Sequence, residues 1–135
     1  MSFRSSMVDK ISTLEKPIVY IVDDDLTLQG ALSTRLQLHG LKVEVFESAE
    51  DFLATKLRSR ASCLIVEVNL PKMDGIALLK HINNLGVRLP TIVLSSGSDV
   101  TDAVRAMQAK AVDFIEKPFV ENTLVKKILD VIERS

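Results

Sequence analysis

The sequence predicts an α/β fold in which a doubly wound parallel sheet of five strands is covered by five helices. Short apolar runs alternate with segments of helical period from residue 17 to the end of the chain. Strands that alternate with helices form parallel sheets through right-handed crossovers. For a chain of 135 residues we therefore expect one domain with the flavodoxin-like strand order 2-1-3-4-5.

The predicted strands differ in how apolar they are. The first and third are almost unbroken apolar runs, which is typical of strands buried on both faces of a sheet. The second alternates polar and apolar residues, which favours a more exposed position. In chain order the strands are expected over 17–22, 42–46, 63–68, 90–94 and 112–115.

The predicted helices are marked by their ends and by their apolar spacing. Gly40 suits the left-handed C-cap of the first helix, and Ser48 offers an N-cap for the second. In the fourth helix, Val100, Val104 and Met107 fall on one side. In chain order the helices are expected over about 28–36, 49–57, 73–85, 99–110 and 121–133.

Composition and charge limit the function classes. The formal net charge is −1, so no global field draws the chain to nucleic acid or to an anionic membrane. Cys63 is the single cysteine, which excludes an internal disulfide and a cysteine-rich zinc site. No apolar run approaches a membrane span, and residues 1–16 lack the apolar core of a signal peptide. We expect a cytoplasmic domain over 17–135 that follows a flexible extension over 1–16.

Polar residues gather where the predicted strands end, and open α/β sheets bind ligands at that edge. Glu67 is the most informative, because a carboxylate in an apolar strand needs a partner, a cation or solvent. Clustered carboxylates suit Mg²⁺, and a lysine with a hydroxyl can hold phosphoryl oxygens, as in an acyl-phosphate site. Taken singly, the aspartates are also explained as helix caps, and the serines and the lysine as loop residues. The set is Asp23, Asp24, Asp25, Glu67, Asn69, Ser95, Ser96 and Lys117.

From about Ile18 to Ile132 the chain resembles the receiver domain of two-component response regulators. The resemblance rests on the runs IVDDD, ESAEDFL and VDFIEKPF, and it is closest to receivers that precede LuxR-type helix-turn-helix domains. It implies a regulatory module that is not an enzyme, with transcriptional output outside this chain. It also implies a sensor histidine kinase or phosphotransfer protein as partner, and a homodimer through the face of the fourth helix, fifth strand and fifth helix. This domain itself is expected to contact neither nucleic acid nor membrane.

The resemblance also assigns a Mg²⁺ site and a phosphate acceptor. Asp24 would bind Mg²⁺ directly, Asp23 mainly through water, and Asn69 through its main-chain carbonyl. The family places its acceptor aspartate four residues before a proline, and counting back from Pro71 gives Glu67. Glu67 is therefore both the predicted phosphate acceptor and one of the predicted Mg²⁺ ligands.

Three further positions correspond to the switch of the family. Ser95 matches the hydroxyl that binds the phosphoryl group, and Phe114 matches the aromatic residue whose rotamer reports activation. Lys117 matches the lysine that pairs with the phosphoryl oxygens, and it precedes Pro118, whose peptide bond is usually cis in the family.

A glutamate at the acceptor position leaves three explanations open. The chain is an atypical receiver, a receiver in which Glu67 imitates the phosphorylated residue with one negative charge, or a chain with an engineered substitution. A phosphorylation-independent pseudo-receiver is the main alternative function. A phosphatase on the same fold would need an aspartate where Asn69 stands, and a flavin carrier would lack aspartates after the first strand.

Overall fold

The computed structural model describes residues 16–58, 60–97 and 100–134. The predicted N-terminal extension therefore lies, apart from Lys16, outside the described residues. Five strands alternate with five helices in the described part of the chain, as predicted. In chain order they are β1 (Ile18–Val22), α1 (Leu26–Leu38), β2 (Lys42–Phe46), α2 (Ala49–Ala54), β3 (Ala61–Glu67), α3 (Gly75–Asn84), β4 (Thr91–Ser95), α4 (Val100–Gln108), β5 (Asp113–Glu116) and α5 (Glu121–Arg134).

The strands form one parallel sheet in the order β2-β1-β3-β4-β5, which confirms the predicted fold class. Alternate residues of a strand point to opposite faces of the sheet, so each inner strand contributes side chains to two cores. In β1, Tyr20 packs into a core with α2, α3 and α4, whereas Ile21 packs into a second core with α1 and α5. Helices therefore cover both faces of the sheet.

The local signals at helix ends are confirmed. Gly40 has a φ of 79°, which suits the left-handed turn after α1. The Ser48 hydroxyl accepts a hydrogen bond from the Asp51 amide at 3.0 Å and so caps α2. Helix α2 ends at Ala54, three residues before its predicted end at 57, because the backbone at Thr55 is already extended.

The apolar side of α4 faces solvent. Val100, Val104 and Met107 are 80%, 49% and 51% exposed, while Ala106 and Ala109 pack against the sheet. The helix thus buries small side chains and exposes larger apolar ones. Clusters of exposed apolar side chains often mark a surface that binds a partner. Among the described residues, none of the helices is both long enough and apolar enough to span a membrane.

Candidate functional site

Asp23 lies directly after β1 and is completely buried. Its Oδ1 atom accepts a hydrogen bond from the Asp25 amide at 2.9 Å, and its Oδ2 atom lies 2.8 Å from Lys117 Nζ. The side-chain amide of Gln29 in α1 donates to the Asp23 carbonyl and also, at 3.2 Å, to the Phe46 carbonyl. Both carboxylate oxygens and the carbonyl of Asp23 are therefore engaged, which satisfies a charge that would otherwise be costly to bury.

Glu67 is the last residue of β3, and its side chain is also buried, with 1% of the residue exposed. The Ser96 hydroxyl donates a hydrogen bond to Glu67 Oε1, and Lys117 Nζ lies 3.8 Å from the same oxygen. The second oxygen, Oε2, is buried and has no hydrogen-bond partner in the described structure. The two oxygens of this carboxylate are therefore in different environments.

Burial raises the pKa of Glu67, because desolvation disfavours its charged form. The hydrogen bond from Ser96 and the charge of Lys117 act in the opposite direction, while the nearby Asp23 carboxylate adds to the rise of this pKa. Two carboxylates around one ammonium leave an excess of negative charge at the edge of the sheet. That excess suits a cation.

Lys117 follows β5 and is held by its backbone. Its amide donates to the Ser95 carbonyl at 2.7 Å, which continues the pairing of β4 with β5. The peptide bond between Lys117 and Pro118 is cis, as the resemblance implied. The ammonium group of Lys117 lies between the carboxylates of Asp23 and Glu67.

The two serines after Leu94 behave differently. Ser95 is buried, and its hydroxyl donates to the Gly97 carbonyl at 2.6 Å and accepts from the Gly97 amide at 3.2 Å. Its hydrogen bonds are thus made to the local backbone, and the neighbouring hydroxyl of Ser96 is the one that meets Glu67. The sequence placed both serines at this edge but did not show which of them faces the carboxylate.

The other predicted metal residues lie at the margin of the site. Asp24 and Asn69 are exposed, and the Asp25 carboxylate caps α1 by accepting from the Leu28 amide at 3.1 Å. No three carboxylate, imidazole or thiol side chains converge closely enough to hold a metal within the ranges that the structure describes. The structure brings together Asp23, Glu67 and Lys117, and it leaves Asp24 and Asn69 beside them at the surface.

The start of α3 packs against the end of β3. The Asp74 carboxylate caps this helix by accepting from the Ala77 amide at 2.7 Å. A Cβ atom placed on Gly75 would lie 2.2 Å from the carbonyl oxygen of Glu67, so only glycine fits at this point. The backbone of α3 therefore lies directly against the backbone of Glu67 at the end of β3.

Phe114 and a groove complete the surroundings. Phe114 in β5 is partly buried, packs against the core of α2, α3 and α4, and pairs with Val93 in β4. A groove of about 450 Å³ opens beside the site between α1 and the segment after β5. Its lining includes Leu28, Ser96, Lys117 and Phe119, so Ser96 and Lys117 are reached from solvent through it.

Residues 19–129 match the family described as the response regulator receiver domain. Response regulator protein TodT of Pseudomonas putida is 41% identical over 111 residues, which are 82% of this chain and 49% of TodT. Transcriptional regulatory protein FixJ of Rhizobium meliloti is 41% identical over 117 residues, which are 87% of this chain and 55% of FixJ. The chain thus spans about half the length of these curated relatives.

Solved structures agree with these sequence matches. A response regulator receiver protein from Pseudoalteromonas atlantica superposes with a TM-score of 0.83 at 42% identity, covering 87% of this chain and 98% of that one. The structure titled FixJ-N has a TM-score of 0.78 at 36% identity, covering 90% of this chain and 97% of that one.

Proposed function

The chain belongs to the response regulator receiver domain family, and we propose that it is an atypical receiver whose phosphate-accepting position is held by Glu67. Receiver domains are regulatory modules of two-component systems, and the relatives include transcriptional regulators. We propose a sensor histidine kinase or phosphotransfer protein as the upstream partner. The output is proposed to be transcriptional, through a LuxR-type helix-turn-helix domain outside this chain, in a cytoplasmic protein.

The observation that carries the acceptor assignment is the position of Glu67 between Lys117 and the end of β4. Its carboxylate is buried at the carboxyl end of the central strand and lies 3.8 Å from Lys117 Nζ. It also stands four residues before Pro71, where the family carries its aspartate. Asp74, which follows in sequence, is occupied as the cap of α3 and does not compete for this role.

The donor set fits Mg²⁺, which prefers oxygen ligands and commonly uses one or two carboxylates with several waters. Within the part of the chain that the structure describes, Glu67 Oε2 is a buried carboxylate oxygen without a hydrogen-bond partner, and such an atom needs a cation or a proton. We propose that Glu67 and the exposed Asp24 hold the ion, with Asp23 acting through water and Asn69 through its main-chain carbonyl. When bound, Mg²⁺ would supply positive charge that offsets the charge of an arriving phosphoryl group.

Phosphoryl uptake at Glu67 is proposed to be poor. Glutamate is one methylene longer than aspartate, so its carboxylate extends further toward the place where a phosphoryl group would arrive. Oε1 already accepts from Ser96, and Lys117 is closer to Asp23 than to Glu67. A misplacement of about 1 Å is enough to lower a rate by roughly two orders of magnitude.

The proposed output path runs across β4 and β5. Ser95 and Phe114 lie on these neighbouring strands, with Ser95 paired to Glu116 and Phe114 paired to Val93. We propose them as the switch pair, in which a hydroxyl at the site and an aromatic ring near α4 change together. Such a pair shifts the balance between two conformations of the domain, so that a change of charge at the site alters a distant surface.

A phosphorylation-independent pseudo-receiver is the second candidate, and the exposed apolar side of α4 favours it. Val100, Val104 and Met107 form a continuous helical stripe open to solvent, and Val112 before β5 is 48% exposed. We propose this face as a homodimer or partner surface. In this proposal, docking to the face does not depend on phosphorylation of Glu67.

Incubation with acetyl phosphate and Mg²⁺, followed by intact-mass spectrometry, separates the two candidates. If the chain is an atypical receiver, a small fraction of it slowly becomes about 80 Da heavier, which is the mass that one phosphoryl group adds to a carboxylate. The variant Glu67→Gln should not gain this mass. No added mass in the unmodified chain, together with intact self-association, supports the pseudo-receiver.

A further inference from the structure

Ser96 donates a hydrogen bond to only one of the two oxygens of the Glu67 carboxylate. Its hydroxyl donates to Oε1, which also faces Lys117, while Oε2 is buried and has no hydrogen-bond partner among the described residues. A glutamate side chain has more rotatable bonds than an aspartate, so its carboxylate needs more contacts to hold one orientation. The hydroxyl of Ser95 is committed to the Gly97 backbone and does not supply that contact.

Strand register explains why Ser96 can reach Glu67. Glu67 pairs with Leu94 across β3 and β4, and the Val68 amide donates to the Leu94 carbonyl at 2.8 Å. Ser96 therefore lies two residues beyond the partner of Glu67, about 7 Å further along the strand direction. A long carboxylate that extends beyond the end of β3 covers this separation.

A shorter carboxylate would not cover the same separation. Replacing glutamate by aspartate withdraws the carboxylate by roughly 1.5 Å, the length of one carbon–carbon bond. Hydrogen bonds between oxygens hold only over about 2.5–3.0 Å, so this withdrawal removes the contact. The Ser96 contact is thus matched to a glutamate in this position.

We propose that Ser96 is a positioning residue for Glu67, holding its carboxylate by Oε1 so that Oε2 is presented to the cation. This inference rests on the proposed function, since it assigns Ser96 a part in the proposed Mg²⁺ site. The hydroxyl acts through Glu67 and is not itself a ligand. Residues that orient a metal ligand commonly contribute tenfold or more to metal affinity.

The test is Mg²⁺ binding, measured by calorimetry, on three single variants of the chain. Ser96→Ala is expected to weaken Mg²⁺ binding about tenfold, and Ser96→Thr, which keeps the hydroxyl, to restore most of that affinity. Ser62→Ala is the matched control, because it removes a hydroxyl that donates to the Arg60 main-chain carbonyl at 2.8 Å near the opposite end of β3. Equal affinities for Ser96→Ala and Ser62→Ala overturn the proposal.

A double variant shows whether Ser96 acts through Glu67. In the Glu67→Asp background the Ser96 contact is already lost, so adding Ser96→Ala is expected to change Mg²⁺ affinity less than twofold. A full tenfold loss in that background contradicts positioning through Glu67. It would place the effect in the loop after β4 instead.

A second readout keeps the inference separate from the proposed function. The carbonyl-carbon NMR signal of the Glu67 side chain, assigned by its disappearance in Glu67→Gln, is recorded at fixed pH without Mg²⁺. It is expected to shift in Ser96→Ala and to stay in place in Ser62→Ala; an unchanged signal in both overturns the contact. If the unmodified chain binds no Mg²⁺, the proposed cation site fails, and this signal alone decides whether Ser96 positions Glu67.

Discussion

Lys117 Nζ lies 2.8 Å from Asp23 Oδ2 and 3.8 Å from Glu67 Oε1, so the lysine is paired first with Asp23 and only second with Glu67. Asp23 has no exposed side-chain surface, whereas 18% of the Lys117 side chain is exposed. One ammonium therefore partly compensates two buried carboxylates. This shared pairing determines several measurable properties of the domain.

Replacing Lys117 by methionine is expected to lower the free energy of unfolding by about 3 kcal/mol, because two buried carboxylates lose their cation. Urea unfolding without divalent cations measures the change. Lys127→Met is the control, since Lys127 pairs with Asp113 at 2.6 Å on a much more exposed surface. That variant is expected to cost less than about 1 kcal/mol, and equal losses in both would contradict a special role for the buried pair.

The raised pKa of Glu67 predicts a pH dependence of stability without Mg²⁺. A carboxyl whose pKa is higher in the folded state stabilises the fold fully below its unfolded pKa, near 4.5, and loses that contribution as pH rises through the folded value. The free energy of unfolding should therefore fall over that interval in the unmodified chain. Glu67→Gln should lack this component when both are unfolded in urea at a series of pH values. Parallel curves for the two proteins would show that Glu67 ionises normally.

Glu67→Asp is expected to increase phosphoryl uptake from acetyl phosphate, by up to roughly a hundredfold if the misplacement is about 1 Å. The shorter side chain withdraws the carboxylate from Ser96 and opens room beside Lys117. The added mass is followed with time by mass spectrometry. Glu67→Asn serves as the control, because its side chain is as long as that of aspartate but has no carboxylate to attack phosphorus. It should gain no phosphoryl group. Unimproved uptake in Glu67→Asp would count against the assigned site geometry.

Gly75→Ala is expected to destabilise the domain by about 2–3 kcal/mol, in the range of overpacked cores. The new Cβ would lie 2.2 Å from the Glu67 carbonyl oxygen and 2.9 Å from Val66, so either α3 or β3 must move. Gly30→Ala in α1 is the matched control, because a Cβ atom placed there would have no described atom of another segment within 4 Å. It should stabilise the helix by about 0.5–1 kcal/mol. Thermal unfolding should therefore show a lower Tm for Gly75→Ala and a higher Tm for Gly30→Ala than for the unmodified chain.

Val104→Glu is expected to abolish self-association without lowering stability. Val104 is 49% exposed on the apolar side of α4, so a charge there disturbs a docked partner but not the core. Sedimentation velocity over a range of concentrations measures the association. Leu38→Glu, at an 82% exposed site on α1, is the control and should associate as the unmodified chain does. Dimers that persist in Val104→Glu would exclude this face as the interface.

Strand order and the gathering of polar residues at one edge were predictable, since both follow from patterns that the chain carries locally. Apolar runs of strand length alternate with helical spacing, and parallel strands bring all their carboxyl ends to the same edge. Asp23, Glu67 and Lys117 meet there as expected, although they are far apart in sequence. Element ends were less accurate: β3 begins at Ala61 rather than 63.

The contacts within the site could not be predicted, because each depends on side-chain orientation and loop path over less than a hydrogen-bond length. The sequence places Ser95 and Ser96 side by side, but only the turn at Gly97 commits Ser95 to the backbone and leaves Ser96 to Glu67. Likewise, spacing indicates an apolar side on α4, but packing decides that Ala106 faces the sheet while Val100 and Val104 face solvent. The fold and the set of residues that share the sheet edge follow from the sequence, since periodicity and topology are enough for both. Only the tertiary structure settles which oxygen of Glu67 is held and which has no partner among the described residues, because the side chains that meet this carboxylate come from the segments after β4 and β5.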